Sequence, residues 1–273
     1  MRRAACTVIA FLVVSVPFLC GEPLSPLQRA LAFSGAYDLL SQISAGLKQG
    51  LQFEMPRYDL EFRKMTAGAF GEFFNLRKLR YGLEYIVNSK VGQDELAEVV
   101  QWWESPLGQK IRMREARVGP SQRLAGSQKL PPAVGADASS GDRPALCQAM
   151  EDEFQLASSI ADISLSIVAG LERTLALRSG ATPAQVAQIG SDFPIPDKEP
   201  MRKGTIATCL FTYKNLSDEE MGQYIAYLRS PAGKTFMKAI WAGMRGTFMR
   251  AGMDAGEKVY ESVQKTKTKP QAQ

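Results

Sequence analysis

Apolar residues recur at helical spacing along most of this chain, and the clearest stretch occurs twice. Residues 91–111, VGQDELAEVVQWWESPLGQKI, align without a gap on residues 216–236, LSDEEMGQYIAYLRSPAGKTF, at a spacing of 125. Leu96, Val99, Val100 and Trp103 match Met221, Tyr224, Ile225 and Leu228. The order i, i+3, i+4, i+7 puts each set on one face of an α-helix. Glu95, Ser105, Pro106 and Gly108 recur as Glu220, Ser230, Pro231 and Gly233. The residue before a proline avoids the α region, so each Ser-Pro ends a helix. The same serine can cap the next helix, with proline in its first turn. The repeated object is therefore a helix, a sharp corner and a second helix.

The same reading divides the rest of the chain. Ser25-Pro26-Leu27-Gln28 has the form of a capping box and opens a helix to about Leu51, with Leu39, Leu40, Ile43 and Leu47 on one side. Pro56 breaks it. Residues 58–89 are helical again, with Gly68 and Gly71 as expected interruptions. A basic helix runs from Gln109 to about Val118. Over 119–144 Gly, Pro, Ser and Ala dominate and no apolar period survives, which predicts a flexible linker. The second half begins near Pro144, and Leu156, Ile160, Ile163, Ile167, Leu171 and Leu175 form a helical ladder. Residues 36–51 match residues 160–175 at a spacing of 124, nearly that of the repeated corner. Two segments holding almost one spacing predict an internal duplication. Short helices are expected over 182–189 and 201–213, and a long one from Pro231 to about Val263. Nothing reads as strand-turn-strand. The expectation is an all-α protein of two related helical-bundle halves, 22–118 and 145–263, of about five helices each, followed by a disordered tail at 264–273.

The first residues change the setting. Arg2 and Arg3 precede an apolar run from Val8 to Leu19, and the composition turns polar at Glu22. This is the pattern of a signal peptide over 1–21, cleaved after Gly21, with retention as an anchor the alternative. Leu19 is too large to precede a lipidated Cys20. No other stretch reads as long and apolar enough to span a bilayer. Export to a bacterial periplasm, or secretion, leaves Cys147 and Cys209 where disulfides form, and they are read as a structural pair. Losing Arg2 and Arg3 takes the formal charge from +5 to +3, which gives no argument for nucleic acid. The chain has no histidine, which removes histidine bases and histidine metal sites. No metal-ligand spacing or phosphate-cradling glycine loop replaces them, so no cofactor is expected.

Glu95 and Glu220 invite an acid/base reading. The stronger reading is capping: Ser217-Asp218-Glu219-Glu220 is a capping box with Glu220 at its third helical position, and Glu95 holds the same position after Gly92. Trp103 is in phase with the core, whereas Trp102 and its equivalent Tyr227 are one step round the helix. Those two rings are the candidate ligand contacts at a groove edge. Gly108 and Gly233 suit close approach of a neighbouring helix. Lys110, Arg112, Arg114, Arg117, Arg123 and Lys129 stand against the single acid Glu115. They form a solvated face, or a peripheral contact with anionic envelope polymer or lipid.

The Trp-Trp-x-Ser-Pro-x-Gly and Tyr-x-x-Ser-Pro-x-Gly segments, built on Trp102, Trp103, Ser105, Pro106 and Gly108 and on Tyr227, Ser230, Pro231 and Gly233, resemble one family. It is a small helical domain of unknown function, number twenty fifty-nine, found in exported bacterial proteins. Leu228 stands where an aromatic would complete the second motif. The resemblance implies an envelope location and an all-α fold, and no activity. The functional expectation is an exported, non-enzymatic binding or scaffold module for an envelope protein, peptide or cell-wall component. The alternative is a carboxylate-dependent hydrolase or lyase on an envelope substrate. A shallow apolar groove marks the first, and a deep pocket with two carboxylates, one desolvated, marks the second.

Overall fold

Side-chain caps mark where several helices of this protein begin. The computed structural model describes residues 24–54, 60–117, 142–188 and 198–267. The expected signal peptide, Val118 and residues 119–141 of the expected linker, Pro56, Ile189 and the last six residues lie outside them. The described residues hold twelve helices and no strand, so the protein is all-α. In the first half these are α1 (Pro26–Phe33), α2 (Ala36–Glu54), α3 (Leu60–Phe73), α4 (Leu76–Asn88), α5 (Gln93–Glu104) and α6 (Pro106–Arg117). The second half has α7 (Arg143–Phe154), α8 (Leu156–Arg178), α9 (Pro183–Gln188), α10 (Lys198–Thr212), α11 (Asp218–Arg229) and α12 (Pro231–Lys267). Ser25 and Gln28 exchange the two hydrogen bonds of a capping box at α1, and Asn75 caps α4 by accepting from the Lys78 N–H.

Several boundaries differ from the sequence expectation. The helix expected from Ser25 to Leu51 is two helices, because Gly35 takes φ +71° between them. Gln155 takes φ +50° between α7 and α8, the only such non-glycine among the described residues. Gly68 and Gly71 do not interrupt α3; the break falls at Asn75, whose side chain competes for the backbone. α12 continues through Gln264 to Lys267, into the segment expected to be tail. By length and composition the α7–α8 stretch, 143–178, does pass as a candidate membrane span, which corrects the expectation that nothing beyond the leader would. Its apolar character serves packing along one side: Ala157, Ala161, Ile163, Ile167, Ala169 and Gly170 are buried.

α12 is the spine. At 37 residues it is roughly 55 Å long, and it packs on α8 of its own half and on α3, α4 and α5 of the other. Against α8 the two backbones touch. A Cβ on Gly252 would stand 2.5 Å from the Ile167 carbonyl oxygen, and one on Gly170 2.5 Å from that of Met249. One continuous apolar cluster joins the halves, from Leu31 and Leu40 through Trp103 to Phe236 and Phe248. Cys147 on α7 and Cys209 on α10 are joined by a disulfide, with Cα atoms 5.8 Å apart. The pattern of contacts is parallel in the two halves. α1 packs on α5 and α7 on α11, while α4 touches α1 and α2 and α10 touches α7 and α8.

Candidate functional site

The two Ser-Pro corners have the same backbone. Ser105 lies at φ −63°, ψ 158° and Ser230 at φ −64°, ψ 157°. Each serine hydroxyl oxygen accepts the backbone N–H three residues on, from Gly108 or Gly233, at 3.1 Å. Those glycines are there because the corner is tight. A Cβ on Gly108 would fall on the Trp102 carbonyl oxygen, and one on Gly233 on that of Tyr227. The close approach is to the preceding helix of the same corner. Glu220 accepts from the Ser217 N–H at 2.8 Å and Glu95 from the Gly92 N–H at 3.0 Å. Glu220 also receives Lys110 of the first half on both oxygens, at 2.6 and 2.8 Å, and that lysine holds its carboxyl below the usual range.

Trp102 and Tyr227 are brought together. Their rings stack with centroids 3.9 Å apart and planes 11° from parallel. Tyr224 stacks on the same indole at 5.2 Å, and Trp103 meets Trp102 edge-on at 4.8 Å. Each ring fills the surface that the sequence offered to a ligand. The basic stretch is also partly used inside the molecule. Lys110 binds Glu220, and the Arg112 guanidinium lies 3.7 Å from the centre of the Phe33 ring.

The open space lies elsewhere. A partly open, mostly apolar cavity of about 150 Å³ sits where the two helix breaks face each other. Gly35 and Ala36 come from the first break, and Phe154 and Leu156 from the second. Leu39, Ile160, Met237, Ile240 and Trp241 supply most of the apolar wall, and the Cys147–Cys209 bridge closes one side. A shallower depression of about 360 Å³ adjoins it, sharing Gly35 and Glu115, and carries Asp38, Gln109 and Arg112. The lining differs between aligned positions: Glu115 stands in register with Ile240, and Arg112 with Met237.

Three polar side chains define this cavity. Glu115 accepts the Tyr213 hydroxyl at 2.5 Å and the Tyr224 hydroxyl at 3.4 Å. Glu151 is 5% exposed; one oxygen accepts the Ala157 N–H at the start of α8 at 3.0 Å, and Oε2 has no hydrogen-bond partner. Burial pushes its carboxyl above the usual range, against the pull of the Ala157 amide and the Arg202 charge. Gln42 is 7% exposed, and its Oε1 is buried without a partner. Among the described residues no group of three or more acids and cysteines could hold a metal.

Glu151 and Gln42 were not singled out from the sequence, and Glu115 entered only as the one acid of the basic stretch. A signal existed in each case. Glu151 interrupts the apolar face of Cys147, Met150 and Phe154, and Glu115 follows the buried Ile111 by one helical turn. Gln42 sits beside Leu39, Leu40 and Ile43 on α2. A polar residue at an apolar phase is the pattern to look for. No family model, no curated protein and no solved structure matches the chain.

Proposed function

We propose that this protein is an exported helical binding module whose ligand occupies the cavity between its two halves. The observation that carries the reading is a cavity walled by both halves, mostly apolar, with two buried oxygens that lack partners. Convergent polar groups in an apolar concavity are the mark of a small-molecule site. The Cys147–Cys209 bridge supports an oxidising compartment, in keeping with a leader over 1–21. The parallel contacts of α1, α4 and α5 and of α7, α10 and α11 support an internal duplication. The two matched Ser-Pro corners support membership of the helical family of unknown function named above.

Native mass spectrometry of the mature protein, isolated gently from its own cells, tests the reading. The wild type carries a small bound molecule, and Ile160→Trp, which fills the cavity, does not while keeping its melting temperature within a few degrees. A bare chain in both preparations contradicts it.

A second reading has one specific observation in its favour. Glu115 and Glu151 line the same cavity, and burial raises Glu151, which is the arrangement of a carboxylate-dependent hydrolase or lyase. Each carboxylate already has structural work: two tyrosine hydroxyls hold Glu115, and the start of α8 holds Glu151. Turnover of a cell-wall or lipid substrate that disappears in Glu115→Gln or Glu151→Gln at unchanged stability would decide for this reading.

A further inference from the structure

The cavity beside Glu151 is short of one kind of chemistry. Among the described residues lining it are two acids, Glu115 and Glu151, and no lysine or arginine. The whole chain leans the other way, with 33 basic residues against 28 acidic ones. The base whose charge acts on Glu151, Arg202, lies outside the lining and is paired with Asp152 at 2.6 Å.

Four donors on the wall are spent. The Tyr213 hydroxyl donates to Glu115, and Trp241 Nε1 donates to the Phe154 carbonyl at 2.9 Å. Thr205 and Thr208 donate to the carbonyls of Met201 and Gly204 within their own helix, at 3.0 and 2.9 Å. Acceptors are left over. Gln42 Oε1 and Glu151 Oε2 are both buried and unpartnered. An orphaned buried polar atom carries a desolvation penalty, so a ligand that supplies donors relieves a cost already present. The rings of Phe154, Tyr213 and Trp241 line the same space, and aromatic faces attract cations most strongly where water is excluded. A cavity of about 150 Å³ is the size that holds a benzene ring.

On the reading that this cavity is the binding site, we propose that it takes a small organic ammonium. The ligand has an apolar body of about one ring and one charged amine. The body lies against Leu39, Ile160 and Ile240, and the amine faces the side chains of Glu151 and Gln42. Acceptors, aromatic faces and a lining with acids but no bases all select the same head group. A carboxylate of equal size meets two acids and no base.

Calorimetric titration of the exported, disulfide-bonded protein at neutral pH tests this with three probes of one ring size: benzylamine, benzyl alcohol and benzoate. Benzylamine is expected to bind about tenfold more tightly than benzyl alcohol, the scale of one desolvated charge contact, and benzoate weakest. Glu151→Gln keeps an oxygen for the Ala157 N–H and puts a donor at the second position. It removes the advantage of benzylamine and leaves benzyl alcohol within about twofold. The wild-type series decides alone if that variant does not fold. Equal binding of the three probes, or tighter binding of benzoate, overturns the head-group assignment and leaves the cavity as a site. Binding by none of the three overturns the cavity reading itself.

Discussion

Glu151 is the residue whose surroundings ask most of it. Its carboxyl titrates above its unfolded value because burial disfavours the charged form. The folded chain therefore keeps a proton that the unfolded chain has already released. Below the unfolded carboxylate range the group has no effect. As pH rises from that range through the raised folded value, stability falls. Glu151→Gln removes the titration and keeps the bond to the Ala157 N–H. Denaturant melts across that interval should show the variant gaining on the wild type as pH rises, and a constant difference would mean that burial does not shift the group. The corner glycines give a second test at this scale. Gly108→Ala and Gly233→Ala should each cost about 1–3 kcal/mol, because the new methyl meets a carbonyl rather than a movable side chain. Gly222→Ala on α11 meets nothing within 4 Å and should be neutral or stabilise by about 0.5–1 kcal/mol. Thermal melts that rank the three alike would contradict this account of the corner.

At the level of elements, α5 and α11 are held together by the rings that follow their core stripes. Trp102 shares its surface with Tyr227 and Tyr224, so truncating it opens a hole between the halves. Trp102→Ala should cost about 2 kcal/mol or more, and a double-mutant cycle with Tyr227→Ala should show coupling of about 1 kcal/mol. Additive single changes would mean that the stack contributes nothing. The sequence made these elements legible through local rules. Ser105-Pro106 and Ser230-Pro231 set the corners, Ser217 and Glu220 the cap, and the apolar phase set the buried faces. It left the partner of Trp102 hidden, because a ring one step off the core stripe can face solvent, ligand or another helix, and only the tertiary arrangement chooses. It left Gly35 and Gln155 hidden for a related reason. A left-handed residue in a continuous apolar ladder makes no mark on the periodicity.

For the molecule as a whole, α12 and the disulfide do different work. α12 carries the core across both halves, and the bridge ties α7 to α10 within the second. Closing a separation of 62 residues is worth about 4 kcal/mol in the chain-entropy model, so Cys147→Ser with Cys209→Ser should lower unfolding stability by about that much. Urea melts of the oxidised and reduced wild type give the same comparison without a substitution, and equal midpoints would contradict it. The pairing was legible because only two cysteines, Cys147 and Cys209, lie beyond the apolar N-terminal run. The cavity was not, because its wall joins Leu39 of α2, Ile160 of α8 and Trp241 of α12, residues brought together only by packing the halves. Its existence is the premise on which the binding reading stands. The most direct test is a crystal of the mature protein pressurised with xenon, which enters apolar cavities of this size. Xenon is expected between Leu39, Ile160 and Trp241 in the wild type and is expected to be lost in Ile160→Trp. A wild-type crystal with no xenon there, and those side chains packed into contact, would contradict it.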